Sequence, residues 1–317
     1  MVLVSEELHG TYGRCLRISN GLALLYVTLD RGPRILHYSL GEGPNMMFVN
    51  RDPGYRKSGE EFEKAFYPGA FWDIGGGNRL WIAPHSFPDA FYPDNEPVRF
   101  EPIEGGVKFL PPLRIPSRMQ ICTEVCLDPD SAKVVVRHGI ENKNDSERKA
   151  AAWSITAVDA GGLEIVPQPR RRTGVLPNRR IALWPYSDMR DPRLGWGGAL
   201  ISLAHDPRVA APVKVGIDND EGWACYFNKG HCFVVEYVHR QEEDYPDFGV
   251  SYETFADGRM VEMETISPMR TLGPGETLWH EERWNLVPCP VAPDPALEEE
   301  TLLEIGRIRS FDSSPKG

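Results

Sequence analysis

Two stretches of this chain hold side chains that could do chemistry together. The first, Phe71 to Asp94, reads FWDIGGGNRLWIAPHSFPDAFYPD. It sets Asn78, Arg79 and Trp81 directly after Gly75, Gly76 and Gly77, with Trp72 ahead of them and His85 behind. Glycines lack a Cβ and let a backbone and a ligand approach closely. Flat aromatic faces beside a forked guanidinium suit a polyhydroxylated small molecule. Taken alone, the glycine run reads equally well as a β-bulge or tight hairpin between structural tryptophans. The second stretch, Tyr245 to Leu286, opens with Tyr245-Pro246-Asp247, passes Glu253 and carries Glu262 and Glu264 two residues apart. On a strand these two carboxylates share one face, with Met263 and Thr265 on the other. Such a pair is comfortable only when solvated, matched with a cation or turned into a polar cleft.

The elements that must position these residues are strands. Short runs rich in Val, Ile, Leu, Phe and Tyr recur along the chain, separated by Gly, Pro, Asn and Asp. Lys133 to Glu141 alternates as a half-buried antiparallel strand should, and Asp128-Pro129-Asp130-Ser131 and Asn142-Lys143-Asn144-Asp145 punctuate it as turns. The 28 prolines and 30 glycines suit many strand-to-strand turns. Helix signals are few. Gly59 to Phe66 fits one or two turns, and a C-terminal helix is predicted with Asp294 as N-cap, Pro295 at its first position and a body from Ala296 to Arg309. Leu297, Leu302, Ile305 and Ile308 give it an apolar stripe for docking, Gly306 weakens its last turn, and Ser310 to Gly317 should be loose. The prediction is an all-β protein with a single domain over residues 1–290 and a helix and tail over 291–317.

Composition narrows the function. A net charge of −11 and a pI near 5.3 argue against a nucleic-acid or anionic membrane partner, and no apolar run approaches the roughly 18 residues of a membrane span. MVLVSEELHG lacks the basic start of a signal peptide. Six scattered cysteines without CxxC spacing read as free thiols in a reducing cytoplasm. The cluster Arg170-Arg171-Arg172 with Arg179-Arg180 reads as a solvated loop or subunit contact rather than an anion site. No ligand spacing points to a metal or other cofactor. Exposed sheet edges and the C-terminal helix could mediate a homodimer.

Gly75-Gly76-Gly77-Asn78-Arg79-Leu80-Trp81-Ile82-Ala83-Pro84 resembles a segment of DUF4380-type proteins, relatives of the aldose 1-epimerases. Trp153-Ser154-Ile155-Thr156, Gly161-Gly162, Ile165-Val166-Pro167, Lys214-Val215-Gly216, Tyr245-Pro246-Asp247, the Glu262-to-Thr265 strand and Leu272-Gly273-Pro274-Gly275-Glu276 extend the resemblance in order over roughly residues 20–288. It implies a galactose mutarotase-like supersandwich, two large antiparallel sheets with a sugar cleft on one concave side. In aldose 1-epimerases a carboxylate on such a strand takes the proton of the anomeric hydroxyl and a histidine protonates the ring oxygen. Met263-Glu264-Thr265 matches that strand, so the resemblance implies Glu264 as base with Glu262 in reserve. The epimerase histidine segment has no counterpart, Ala152 to Ile155 standing in its place, and His85 can replace it in role but not by motif. Asn78, Arg79, Trp81, Trp153, Lys214, Tyr245, Asp247 and Glu262 are the expected ligand contacts. Three readings follow: a sugar mutarotase or epimerase, a sugar-binding protein without chemistry, and a lyase or isomerase of uronates or modified sugars whose carboxylate Arg79 and Lys214 would hold.

Overall fold

The computed structural model describes residues 1–174 and 176–307, and is built on two large antiparallel sheets. The first runs from the edge strand Leu3–His9 through Gly13–Ser19, Ala23–Thr28 and Ile35–Leu40 to Gly77–Ala83. It continues through Arg148–Asp159, Met260–Ile266, Tyr252–Ala256 and Val213–Ile217 to Ile181–Leu183. The second is centred on Val134–Asn142, Thr277–Pro288 and His231–Tyr237. The two pack face to face over a common core in which Leu16, Leu25, Val27 and Tyr38 of one meet Val134, Val136, Phe233 and Trp284 of the other. This is the half-buried alternation read from the sequence: Val134 and Val136 turn inward, while Arg137 lies over Trp279 on the outer face. Among the described residues no helix is long and apolar enough to cross a membrane. The six cysteines are free.

Gly76 and Gly77 serve the backbone, the structural one of the two readings that the glycine run allowed. Gly76 and Gly77 have φ of +104° and +58°, and a Cβ there would sit 2.1 Å from the Phe48 carbonyl oxygen and 2.0 Å from that of Ile35. These glycines let the entry to the Gly77–Ala83 strand press against neighbouring backbone.

The short helix Glu60–Ala65 forms where expected. The C-terminal helix spans Glu299–Arg307 and starts later than predicted. Asp294 accepts from Ala296 N at 2.8 Å, closing a turn rather than capping a helix. Glu299 reaches back to the backbone N–H groups of Gly198, Ala199 and Leu200 instead. Leu302 and Leu303 pack on Leu163, Leu200 and Trp223, and Gly306 fits where a Cβ would meet the Trp223 ring at 2.7 Å. It permits docking there. Leu297 stays exposed, and Ile308, Arg309 and the tail from Ser310 to Gly317 lie outside the described residues. The arginine cluster braces loops rather than standing free: Arg171 pairs with Asp218 and Asp220 at 3.1 and 3.2 Å, and Arg170 with Glu300 at 3.3 Å.

Candidate functional site

Antiparallel register decides which side chains meet. Arg79, Ile155, Glu264 and Glu253 are successive cross-strand partners on four neighbouring strands. One step along, Glu262 lies opposite Phe255, which lies opposite Lys214, and Trp81 lies opposite Trp153. All of these project from the face of the first sheet turned away from the core. Over that face the segments around Tyr55, Phe91 and Trp184 close a cleft of about 480 Å³. Its wall is aromatic, with Trp72, Trp81, Trp153, Trp184, Tyr55 and Tyr186 among the lining residues. Trp81 and Trp153 meet edge to face at 5.5 Å, and Trp72 and Trp81 at 5.6 Å.

The floor is charged and buried. Arg79, 4% exposed, donates from Nη2 to Glu262 Oε1 at 2.8 Å, and its guanidinium lies over Trp81 and Trp72 at 4.9 and 5.6 Å. Glu262 Oε2 accepts no hydrogen bond from the described residues, which leaves one oxygen facing the cleft. Lys214 donates to Glu264 at 2.7 Å and stands 2.7 Å from Glu253 Oε2, with Trp153 and Trp184 at 4.5 and 4.8 Å from its ammonium. Trp153 Nε1 donates to Glu264 Oε2 at 2.6 Å. Both glutamates are 0% exposed. Burial drives the Glu253 carboxyl well above its ordinary range against the pull of Lys214, and the charges of Glu264 and Asp247 add to that push. Burial likewise raises Glu264, with Lys214 opposing. Lys214 loses charge stability by burial, but Glu264 and Glu253 outweigh that loss and hold its ammonium above the usual range. Three carboxyls face two cations here, and burial pushes Glu253 toward its protonated form.

Not every expected residue belongs to this site. Asn78 neighbours Arg79 in a strand and therefore points the other way, into the core, donating to Ser154 at 2.9 Å and Thr156 at 3.0 Å. There it joins a buried polar layer in which His138 bridges Thr123 and Ser154 at 3.1 Å each. Tyr245 stacks on His239 at 5.2 Å and lines a separate recess with Arg171 and Arg240. Asp247 sits half-buried in the loop beyond it; it does not line the cleft, although its charge acts on His85 and Glu253. His85 stands at the mouth, 5.8 Å from Trp153 and 5.9 Å from Trp81. Partial burial lowers its pKa, and Lys214 and Lys57 lower it further. Glu264 lies beneath the cleft surface, while its reserve Glu262 lines it. Trp184, Tyr186, Tyr55 and Lys57 escaped the sequence reading, although the aromatic pair around Pro185 is visible in it. Among the described residues no cluster of His, Cys, Asp or Glu is arranged to hold a metal ion.

Solved structures share this architecture. A candidate aldose 1-epimerase from Klebsiella pneumoniae subsp. pneumoniae superposes with a TM-score of 0.58 at 13% identity, covering 90% of this chain and 84% of that one. A candidate mutarotase from Salmonella typhimurium gives 0.57 at 10%, covering 90% and 97%. A candidate aldose 1-epimerase from Escherichia coli K12 gives 0.51 at 12%, covering 91% and 100%. The chain has the galactose mutarotase-like fold. At these identities the likeness concerns the fold, and no protein-family model and no curated protein matches the sequence significantly. The supersandwich expected from the resemblance is therefore present, with the cleft on the outer face of its first sheet.

Proposed function

We propose that this protein binds a sugar in the aromatic cleft and interconverts its anomers. The observation that carries the reading is Glu262, a carboxylate with one oxygen locked by Arg79 and the other open to a cleft walled by tryptophans. Sugar rings present flat C–H faces that stack on such walls. Trp72 Nε1, buried without a protein acceptor, offers a donor that a ligand hydroxyl would satisfy.

The chemistry needs a proton removed and another delivered. Glu262 Oε2 takes the proton of the anomeric hydroxyl while the C1–O5 bond breaks, and His85, neutral at the cleft mouth, donates from one ring nitrogen to the ring oxygen as it takes a solvent proton at the other. The open-chain aldehyde rotates about C1–C2 and closes on its other face, returning both protons. Glu264, the base implied by the family resemblance, instead holds Lys214 in place, and Arg79 orients the acting carboxylate. The fold shared with mutarotase-named structures supports the sugar reading, while the choice of Glu262 over Glu264 rests on which of the two lines the cleft. One observation favours a second reading, sugar binding without turnover: both Glu264 oxygens are already engaged by Lys214. Magnetisation exchange between α and β anomers in the presence of the protein separates the two, since a binding protein leaves the rate at its buffer value.

A further inference from the structure

The cations of the cleft are not equivalent. Arg79 is matched by Glu262, and Lys214 by Glu264 and Glu253. Lys57 is matched by nothing: among the described residues its ammonium makes no ion pair and rests 3.5 Å from the centre of the Phe91 ring. Carboxylates of the neighbouring segments are engaged with other cations, Asp73 with Arg31 at 3.2 Å, Glu60 with Lys64 at 2.6 Å and Asp257 with Arg259 at 3.4 Å. Phe91 itself touches Trp81 at 4.9 Å, Trp72 at 5.1 Å and His85 at 5.3 Å, so this ammonium stands one ring away from the aromatic cage. Its neighbour Arg56, stacked on Phe71 at 5.0 Å, also lines the cleft and also lacks an ion pair among the described residues. Both come from the short strand Arg56–Ser58, paired with Phe71–Asp73. Both side chains are exposed, and what sets them apart from other surface cations is their place on the rim of a sugar-sized cleft.

The geometry points to a sugar that carries one anionic group, a carboxylate or a phosphate, seated against Lys57 at the cleft mouth. The inference rests on the sugar-binding reading above. The neutral ring occupies the tryptophan cage over Glu262, and the charged substituent projects to the rim, where Lys57 and Arg56 meet it. Arg79 and Lys214, the cations expected to hold a uronate, do not take this part, because their charge is already spent on buried carboxylates. Burial against Phe91 also lowers the Lys57 pKa, and an anion at the rim would restore its charge.

Tryptophan fluorescence titrations of the full chain test this with glucose, glucuronate and glucose 6-phosphate, and with the galactose series. Charged sugars should bind about tenfold or more tighter than their neutral parents, as expected for one charge-assisted contact. Lys57→Met should erase that preference while leaving neutral-sugar affinity unchanged, Lys57→Arg should keep it, and about 0.5 M salt should shrink it. Comparing the uronate with the phosphate identifies which anion the rim fits. Neutral sugars binding as tightly as charged ones, or Lys57→Met weakening both alike, overturns the inference and leaves the sugar-binding reading standing. Failure of every sugar to bind overturns both.

Discussion

Glu253 and Glu264 lie directly opposite each other on adjacent strands, and one ammonium, that of Lys214, stands 2.7 Å from an oxygen of each. Two like charges in cross-strand contact repel, and neither residue reaches solvent. The arrangement rests on one ammonium shared between the two carboxyls, while burial favours the neutral form of each. Beside it, Arg79 and Glu262 form a second pair, so the floor of the cleft is rigid and close to neutral.

This sharing predicts non-additive mutational effects. Glu253→Gln or Glu264→Gln alone leaves Lys214 one carboxylate, which then ionises fully, and each should cost about 1 kcal/mol. The double variant strands a buried ammonium and should cost about 3–5 kcal/mol. Denaturant unfolding of the four proteins measures the difference; additive costs would mean that Lys214 is not shared.

Gly77→Ala should destabilise far more than Gly75→Ala. An added Cβ at Gly77 meets backbone at 2.0 Å, whereas at Gly75 its nearest neighbour is Arg34 Nη1 at 3.5 Å. Both positions carry left-handed φ, which by itself costs about 1–2 kcal/mol, so Gly75→Ala should fold with that loss. Gly77→Ala should yield little folded protein, as judged by soluble expression and thermal unfolding.

Stability should pass through a maximum on the acid side of neutrality. Burial holds His138 near a pKa of about 3 and His280 near about 4. The unfolded chain therefore binds more protons than the folded one below about pH 6.5, and stability falls as pH drops through that range. Burial raises Glu164 to about 7. Here the folded state binds more protons between the ordinary value of 4.5 and about 7, so this contribution to stability is lost as pH rises through that window. Thermal unfolding from pH 4 to 8 should show both limbs, and Glu164→Gln should flatten only the upper one.

Much of the fold and part of the site were legible in the sequence. Period-two alternation places Glu262 and Glu264 on one face. The same rule separates Asn78 from Arg79, so the core-facing position of Asn78 was available from its neighbour. Glu253 was within reach too: Asp257-Gly258 is a hairpin turn signal, and folding the chain there sets Glu253 against Glu264. Lys214 becomes their partner only through the pairing of Val213–Ile217 with Tyr252–Ala256, a long-range choice that no local pattern encodes. The late start of the C-terminal helix has a similar cause, since Glu299 is drawn to the backbone of Gly198 to Leu200 by tertiary contact. Tyr245 followed its motif but faces another recess, because motif order does not report which way a loop turns.

The decisive step of the proposed reaction is the removal of a proton by Glu262 from a sugar bound over the tryptophans. Magnetisation transfer between anomeric proton signals, across neutral and anionic aldoses, measures it directly when wild type is compared with Glu262→Gln. Accelerated exchange is expected for at least one sugar with the wild-type protein. A loss of about 100-fold or more is expected in the variant, with tryptophan fluorescence still saturating on the same sugar. Exchange at the buffer rate for every sugar, or equal acceleration by the two proteins, would contradict it.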